Sequence, residues 1–245
     1  MMLARTLSAE LLKLKRTLAF RMILVAPLLV ATLQFFVLWN QKRYPDDFKL
    51  WAGLPRSALS LWAIFMLPLF ITLETALLNG LEHAEKQWKH LFALPVPRYT
   101  IYVAKLMTVL AITALATLVL CGLIVLSGVA LTHLRAELAA AGAIPYWWIL
   151  KHAGLIWLAS WLIVAIHNWV SMRWQGFALA LGTGIAGTFF ALFAASARLG
   201  KFYPWLLPIN IFIDERFTVA LLLGAVGGVL AAIVGGIEFT RRDVV

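Results

Sequence analysis

Few side chains in this 245-residue sequence could do chemistry, because 63% of them are apolar. Glu74 is the sharpest case, since it interrupts the otherwise apolar run Ala58–Asn79. An unpaired carboxylate in hydrocarbon costs about 2.5–3.5 kcal/mol even on lenient insertion scales. Two arrangements would justify it: a contact to a substrate or ion, or an ion pair with Arg21, which enters the first apolar run at a similar depth. The pair is the expectation. His167 and Asn168, near the end of another apolar run, read as packing or interface groups, and Asp214 and Glu215 as loop surface. Cys121 is the single cysteine and lies inside an apolar run, so it forms neither an intrachain disulfide nor a CxxC site. Gly200-Lys201 is followed by Phe202 and lacks the upstream glycine of a nucleotide loop. HExxH, a cysteine cluster and GxSxG are missing too. The expectation is a protein that is not itself an enzyme, carries no cofactor, and is driven by a partner or by an ion gradient.

The densest pattern lies between Asn79 and Arg98. Leu81, Ala84, Trp88 and Leu91 fall on one helical face. Glu82 with Lys86, and Glu85 with Lys89, stand four apart in the favourable order, worth about 0.2–0.5 kcal/mol per pair. Pro95 and Pro97 then stop the helix. A short amphipathic helix with large apolar groups in a polar loop reads as a docking surface.

These groups must be positioned by membrane helices. The mean hydropathy of +0.90 and the 13% of charged residues leave more apolar surface than a soluble fold of this size can hide. A span needs roughly 20 apolar residues. Six segments qualify: 22–39, 58–79, 106–131, 153–170, 176–197 and 217–237, the fourth with a possible start near Tyr146. The first 18 residues are too polar, and the first span too long, for a cleavable signal peptide. The sequence reads as a single transmembrane domain over residues 1–245, all-α and polytopic. The net charge of +10 is assigned to anionic lipid headgroups, not to nucleic acid. With the N-terminus inside, the inner segments hold 12 of the 21 Lys and Arg residues, which favours both termini inside.

Leu3, Leu7, Leu11, Leu14 and Leu18 recur on one stripe, with Arg5, Lys13, Lys15 and Arg16 off it. This predicts an N-terminal helix lying in the inner interface, leucines towards the lipid. In the last span Ala220, Gly224, Gly228, Ala232 and Gly236 form a smooth ridge for close helix packing, within the chain or along a dimer seam. Gly182, Gly184 and Gly187 do the same in the fifth. The stretch 203–213, apolar but broken by Pro204 and Pro208, predicts a re-entrant or interfacial hairpin.

The N-terminal run Leu12–Arg16, together with Glu82, Glu85, Trp88, Lys89, Leu94, Pro95, Arg98 and Lys105, resembles the permease subunits of type 2 ATP-binding-cassette (ABC) exporters. The nearest likeness is to the group handling bacitracin and lantibiotic peptides, and it extends over the whole chain in length and span count. The resemblance implies a multi-pass plasma (inner) membrane protein with both termini cytoplasmic. It implies a coupling helix at residues 81–97 seated in a separate cytoplasmic ATPase, which binds the ATP. It also implies a second permease copy or a related permease, and an amphipathic substrate such as an antimicrobial peptide or lipid-like molecule. Glu82, Glu85, Trp88, Lys89, Pro95 and Arg98 would then carry the ATPase contact. An ion-gradient-driven secondary transporter is the alternative, although it would show inverted halves and more membrane carboxylates. An intramembrane enzyme would need clustered groups, for which only Glu74 and His167 are candidates.

Overall fold

The computed structural model describes residues 2–14, 17–42, 44, 48–84, 97–138, 142–174 and 176–241. Helix α1 is Met2–Leu14 and α2 is Leu18–Trp39. Thr17 separates them: its hydroxyl donates to the Leu14 carbonyl at 2.7 Å and accepts from the Phe20 amide at 3.4 Å, capping α2. Helix α3, Leu50–Leu61, runs through a π-helical turn, Trp62–Met66, into α4, Leu67–Ala84. Helix α5, Arg98–Leu134, starts after Pro97, whose missing amide hydrogen suits a helix start. At 37 residues it is roughly 55 Å long, well beyond the ~30 Å hydrocarbon core.

Helices α6, Tyr146–Ala159, and α7, Trp161–Arg173, meet at Ser160 with a 40° bend. Gly176, with φ of 155°, turns the chain into α8, Phe177–Ala194. Two 3₁₀ turns, Arg198–Phe202 and Pro204–Leu206, lead into the four-residue α9, Leu207–Asn210. Helix α10, Asp214–Leu221, passes through a second π-helical turn, Leu222–Gly227, into α11, Gly228–Arg241.

Five helices are long and apolar enough to cross a membrane, or six if the bent α6–α7 pair forms one span. No strand occurs among the described residues. The protein is an all-α, multi-pass membrane protein. Apart from α8, which stops short of its expected span, the observed helices run past the expected spans because an apolar run ends at its first charge, whereas a helix continues while its backbone hydrogen bonds last. Arg98 and Lys105 are therefore helical, and residues 50–57 extend the second span by about two turns.

Helix α5 is the hub, packing against α1, α2, α6, α7 and α11. Its threonines satisfy themselves in the apolar interior: Thr108, Thr113 and Thr117 each donate to the carbonyl four residues back. Thr117 also accepts the indole N–H of the fully buried Trp62 at 3.2 Å. The proline-broken stretch is packed inside protein, as irregular backbone at membrane depth must be. Asn210 donates to the Gly200 carbonyl at 3.4 Å, Arg216 to the Ala195 carbonyl at 3.2 Å, and Tyr203 to the Gly187 carbonyl at 3.0 Å.

Candidate functional site

Three polar or concave features cluster at one end of the bundle, beside the start of α5. The first is an ion-pair junction between α1 and α5. Glu10 Oε2 accepts from Lys105 Nζ at 3.1 Å, and its Oε1 from Lys13 Nζ at 2.8 Å. Glu10 and Lys105 are buried, at 4% and 1% exposure. Burial pushes the Glu10 carboxyl up, but Lys105 and Lys13 together hold it below its ordinary 4.5. The same end is tied to the last helix. Arg98 donates to the Thr240 carbonyl at 3.5 Å, while Glu238 receives Arg173 at 3.4 Å and the Trp169 indole at 3.1 Å.

The second feature is a buried polar seam between α4 and α7. Thr72 Oγ1 lies 3.3 Å from His167 Nε2, and Asn79 donates to Ser171 Oγ at 2.7 Å. Glu74, Thr75 and Asn168 are buried on the same two helices. Both Glu74 oxygens, Asn79 Oδ1, His167 Nδ1 and both Asn168 amide atoms have no hydrogen-bond partner among the described residues. The seam is closed on a third side by α8, where Thr72 occupies the space a Cβ on Gly184 would need.

The third feature is an apolar groove of about 420 Å³ between the first half of α5, Trp161 and Ala165 of α7, and one face of α11. The floor on α11 is Gly228, Ala232 and Gly236.

The sequence-selected residues fall unevenly on this frame. Arg98 opens α5, and Glu82 lies in the last turn of α4. Glu85, Trp88, Lys89 and Pro95 lie outside the described residues. Gly224 leaves no room for a side chain against Ala159. A Cβ on Gly228 would sit 2.8 Å from the Leu162 amide nitrogen, and one on Gly236 would sit 3.3 Å from the Tyr102 ring. The upper ridge is therefore filled by α6 and α7 of the same chain.

Two expectations are corrected. The Arg21–Glu74 pair is not formed: Arg21 is exposed, and the Glu74 carboxylate has no partner among the described residues. The buried side of α2 carries Ala19, Ile23, Ala26 and Val30, and Arg21 stands about 200° from Ala19 around the helix. The leucine stripe is also cut. Leu18 belongs to α2, Leu3 and Leu11 are exposed, and α1 buries Glu10 and Leu14. The face that α1 turns to the bundle is thus centred on an ion pair and Leu14, while Leu3 and Leu11 stay exposed, as the expected lipid-facing stripe requires.

Residues 6–194 match the model of a family described as ABC-2 family transporter protein. The chain belongs to the ABC-2 transporter family. No curated protein and no solved structure matches it.

In this ABC-2 transporter chain the matched stretch runs from α1 through α8, so it includes the Glu10–Lys105 junction and the α4–α7 seam. Sequence reasoning missed Glu10 altogether. It noted Lys105 only among the residues that carry the family resemblance. The sequence carried no local signal for it: Glu10 and Lys13 stand three apart like any surface pair, and only the packing of α1 on α5 buries the acid.

Proposed function

We propose that the chain is the permease subunit of an ATP-driven ABC exporter, acting on an amphipathic substrate with hydrolysis supplied by a separate cytoplasmic ATPase. The observation that carries this reading is the family match over residues 6–194, in a chain built of membrane helices. Family membership supplies the ABC permease class; the partner, the export direction and the substrate are the proposal. Both termini and the segment 81–97 would face the cytoplasm.

In this reading the segment 81–97 seats on the ATPase. Trp88 is the anchor, since a large aromatic in a pocket commonly dominates an interface. Glu82 and Glu85 orient the helix against basic groups, and Pro95 marks its end. The segment joins α4 directly to α5. The start of α5 is bonded to α1 through Lys105 and Glu10, and to α11 through Arg98 and Thr240. A rigid-body push there would reach three helices at once, which is what a transmission point requires. A second permease copy or a related permease would complete the pathway.

The test is co-purification with the ATPase, followed by substrate-stimulated hydrolysis in liposomes. Trp88→Ala, or Glu82→Lys with Glu85→Lys, should leave insertion intact and abolish stimulation. Assembly and stimulated hydrolysis at wild-type rates would remove the coupling role from this segment.

A further inference from the structure

We infer that α6, α9 and α10 form one body that swings about a shared pivot, where two neighbouring spans break side by side. The span formed by α6 and α7 is interrupted by the 40° bend at Ser160, and the span formed by α10 and α11 by the π-helical turn Leu222–Gly227. Kinks and π-helical turns re-set the hydrogen-bond ladder of a helix, and π-helical turns are frequent at functional sites. The two interruptions touch. On one side of Ser160, Gly224 lies against the Ala159 backbone. On the other, Gly228 lies against Trp161 and the Leu162 amide nitrogen. Neither glycine leaves space for a side chain, so the two backbones meet at one level and can bend about one line. A straight neighbour fixes that line. Helix α5 passes both breaks uninterrupted, and Trp157, one turn from Ser160, donates its indole N–H to the Leu110 carbonyl at 3.1 Å, with Thr113 Oγ1 at 3.3 Å. A bond beside the axis survives a rotation that would tear one far from it.

Towards the Leu134 end of the bundle, the pieces beyond the pivot are tied to one another. The His152 ring of α6 stacks on Phe212 at 5.6 Å with the planes 1° apart, and Trp148 stacks on His152 at 3.9 Å. Arg216 of α10 donates to Asn210 Oδ1 of α9 at 3.4 Å and to the Ala195 carbonyl at 3.2 Å. Tyr203 donates to the Gly187 carbonyl, so the body takes the far end of α8 with it, where Phe189, Phe190, Leu192 and Phe193 are exposed. Towards the Arg98 end, α7 and α11 are joined through Glu238, which receives Arg173 and the Trp169 indole. The other π-helical turn, Trp62–Met66, is not part of the pivot. Helix α3 beyond it is locked to α5, because Trp51 fills the space that a Cβ on Gly128 would need. Straightening half of the 40° bend would carry the tip of α6, 14 residues or roughly 21 Å from the pivot, through about 7 Å. In the permease reading, this swing changes access at the Leu134 end while the Arg98 end keeps its contacts.

The experiment measures distances by electron paramagnetic resonance on the full chain in lipid nanodiscs, with spin-labelled cysteines placed in a Cys121→Ala background. Leu126, on α5, is the fixed reference; Trp147 reports α6, Ile213 the start of α10 and Val234 α11, and all four positions are exposed. The 126–147 pair should show two distances up to about 7 Å apart. The 126–234 and 147–213 pairs should each show one. Deleting Val226, which is exposed, takes one residue out of the π-helical turn and closes it into an α-helix with both flanks in register. That deletion should leave a single 126–147 distance, although neither label lies in the altered span, because one body cannot swing with half of its pivot straightened. A single 126–147 distance in the undeleted chain overturns the inference. So does a 126–234 pair that varies as widely, or a 126–147 pair that keeps two distances after the deletion. If the deleted chain does not fold, the 147–213 pair decides, since two distances there mean that α6 and α10 do not move together. No readout needs an ATPase or a transported substrate, so a failure here leaves the permease reading standing.

Discussion

Among the described residues two glutamates are buried, under opposite conditions. Glu10 sits between α1 and α5 with a lysine on each carboxylate oxygen, at 2.8 Å and 3.1 Å. Glu74 is fully buried in α4, and neither oxygen has a hydrogen-bond partner among the described residues. The contrast follows from where lysines can be placed. Lys105 stands two turns into α5, near the end of the bundle, and reaches α1 along its own four-carbon stem. Helix α4 is packed between α2, α5, α7 and α8, and the polar groups that α7 turns to it are an amide, a hydroxyl and an imidazole. The α1–α5 junction is therefore a fastened contact, whereas the α4–α7 seam holds polar groups that a hydrated or ligand-filled state would satisfy better. A transporter that alternates between conformations needs both kinds.

The largest effect should come from unfastening the junction. Lys105→Met leaves Glu10 buried with only the half-exposed Lys13, and removing one partner of a buried pair costs about 3–5 kcal/mol. The expected loss is at the low end of that range because Lys13 remains. Thermal unfolding in detergent reads the stability, and hydrogen exchange over residues 2–14 reads the detachment of α1. Glu10→Gln combined with Lys105→Met should cost less than the sum of the single changes. Additive losses would mean that the two side chains do not interact, and would erase the difference between the two glutamates.

A second effect follows from protonation. The Glu10 carboxyl is held below its ordinary 4.5 in the folded chain, so the folded state binds that proton less readily than the unfolded chain. Its contribution is then fully present above about pH 4.5 and is lost as the pH falls through the depressed folded value. Release of α1 should accordingly appear only in acid, below about pH 4.5. Glu10→Gln should lack this transition. An α1 that stays protected to the same low pH in wild type and Glu10→Gln alike would show that the ion pair does not hold the helix.

The sequence made the helices legible because apolar runs of about 20 residues have few other meanings. It did not show the π-turns at Trp62–Met66 and Leu222–Gly227, or the bend at Ser160. Such irregularities depend on what packs alongside: Gly224 lies against Ala159, and Gly228 against Trp161 and Leu162. The two glutamates teach the same lesson. Placing Arg21 and Glu74 at equal depth used only the rise per residue, whereas pairing also depends on the angle around each helix. Arg21 fails on angle. Lys105 succeeds because α1 folds back onto α5 with Glu10 inward, a tertiary fact with no local signature.

The smallest effect is expected at Glu74, and it bears most directly on the comparison. Arg21 is exposed and does not touch it, so Arg21→Ala should change stability by less than about 0.5 kcal/mol, as exposed substitutions generally do. Glu74→Gln keeps the shape and removes a carboxyl that nothing among the described residues holds. It should leave the melting temperature unchanged or raise it slightly, since an unpaired buried polar group contributes cost without a bond. Glu10→Gln, by the same isosteric step, should lower it. Measured side by side in one detergent, the two substitutions should differ in sign or at least clearly in size. If Glu74→Gln destabilises the resting chain as much as Glu10→Gln does, then Glu74 already has a partner there, one supplied by another subunit or by residues 85–96. If it leaves stability alone but abolishes transport, the carboxylate is being held in reserve for a state in which the α4–α7 seam is open.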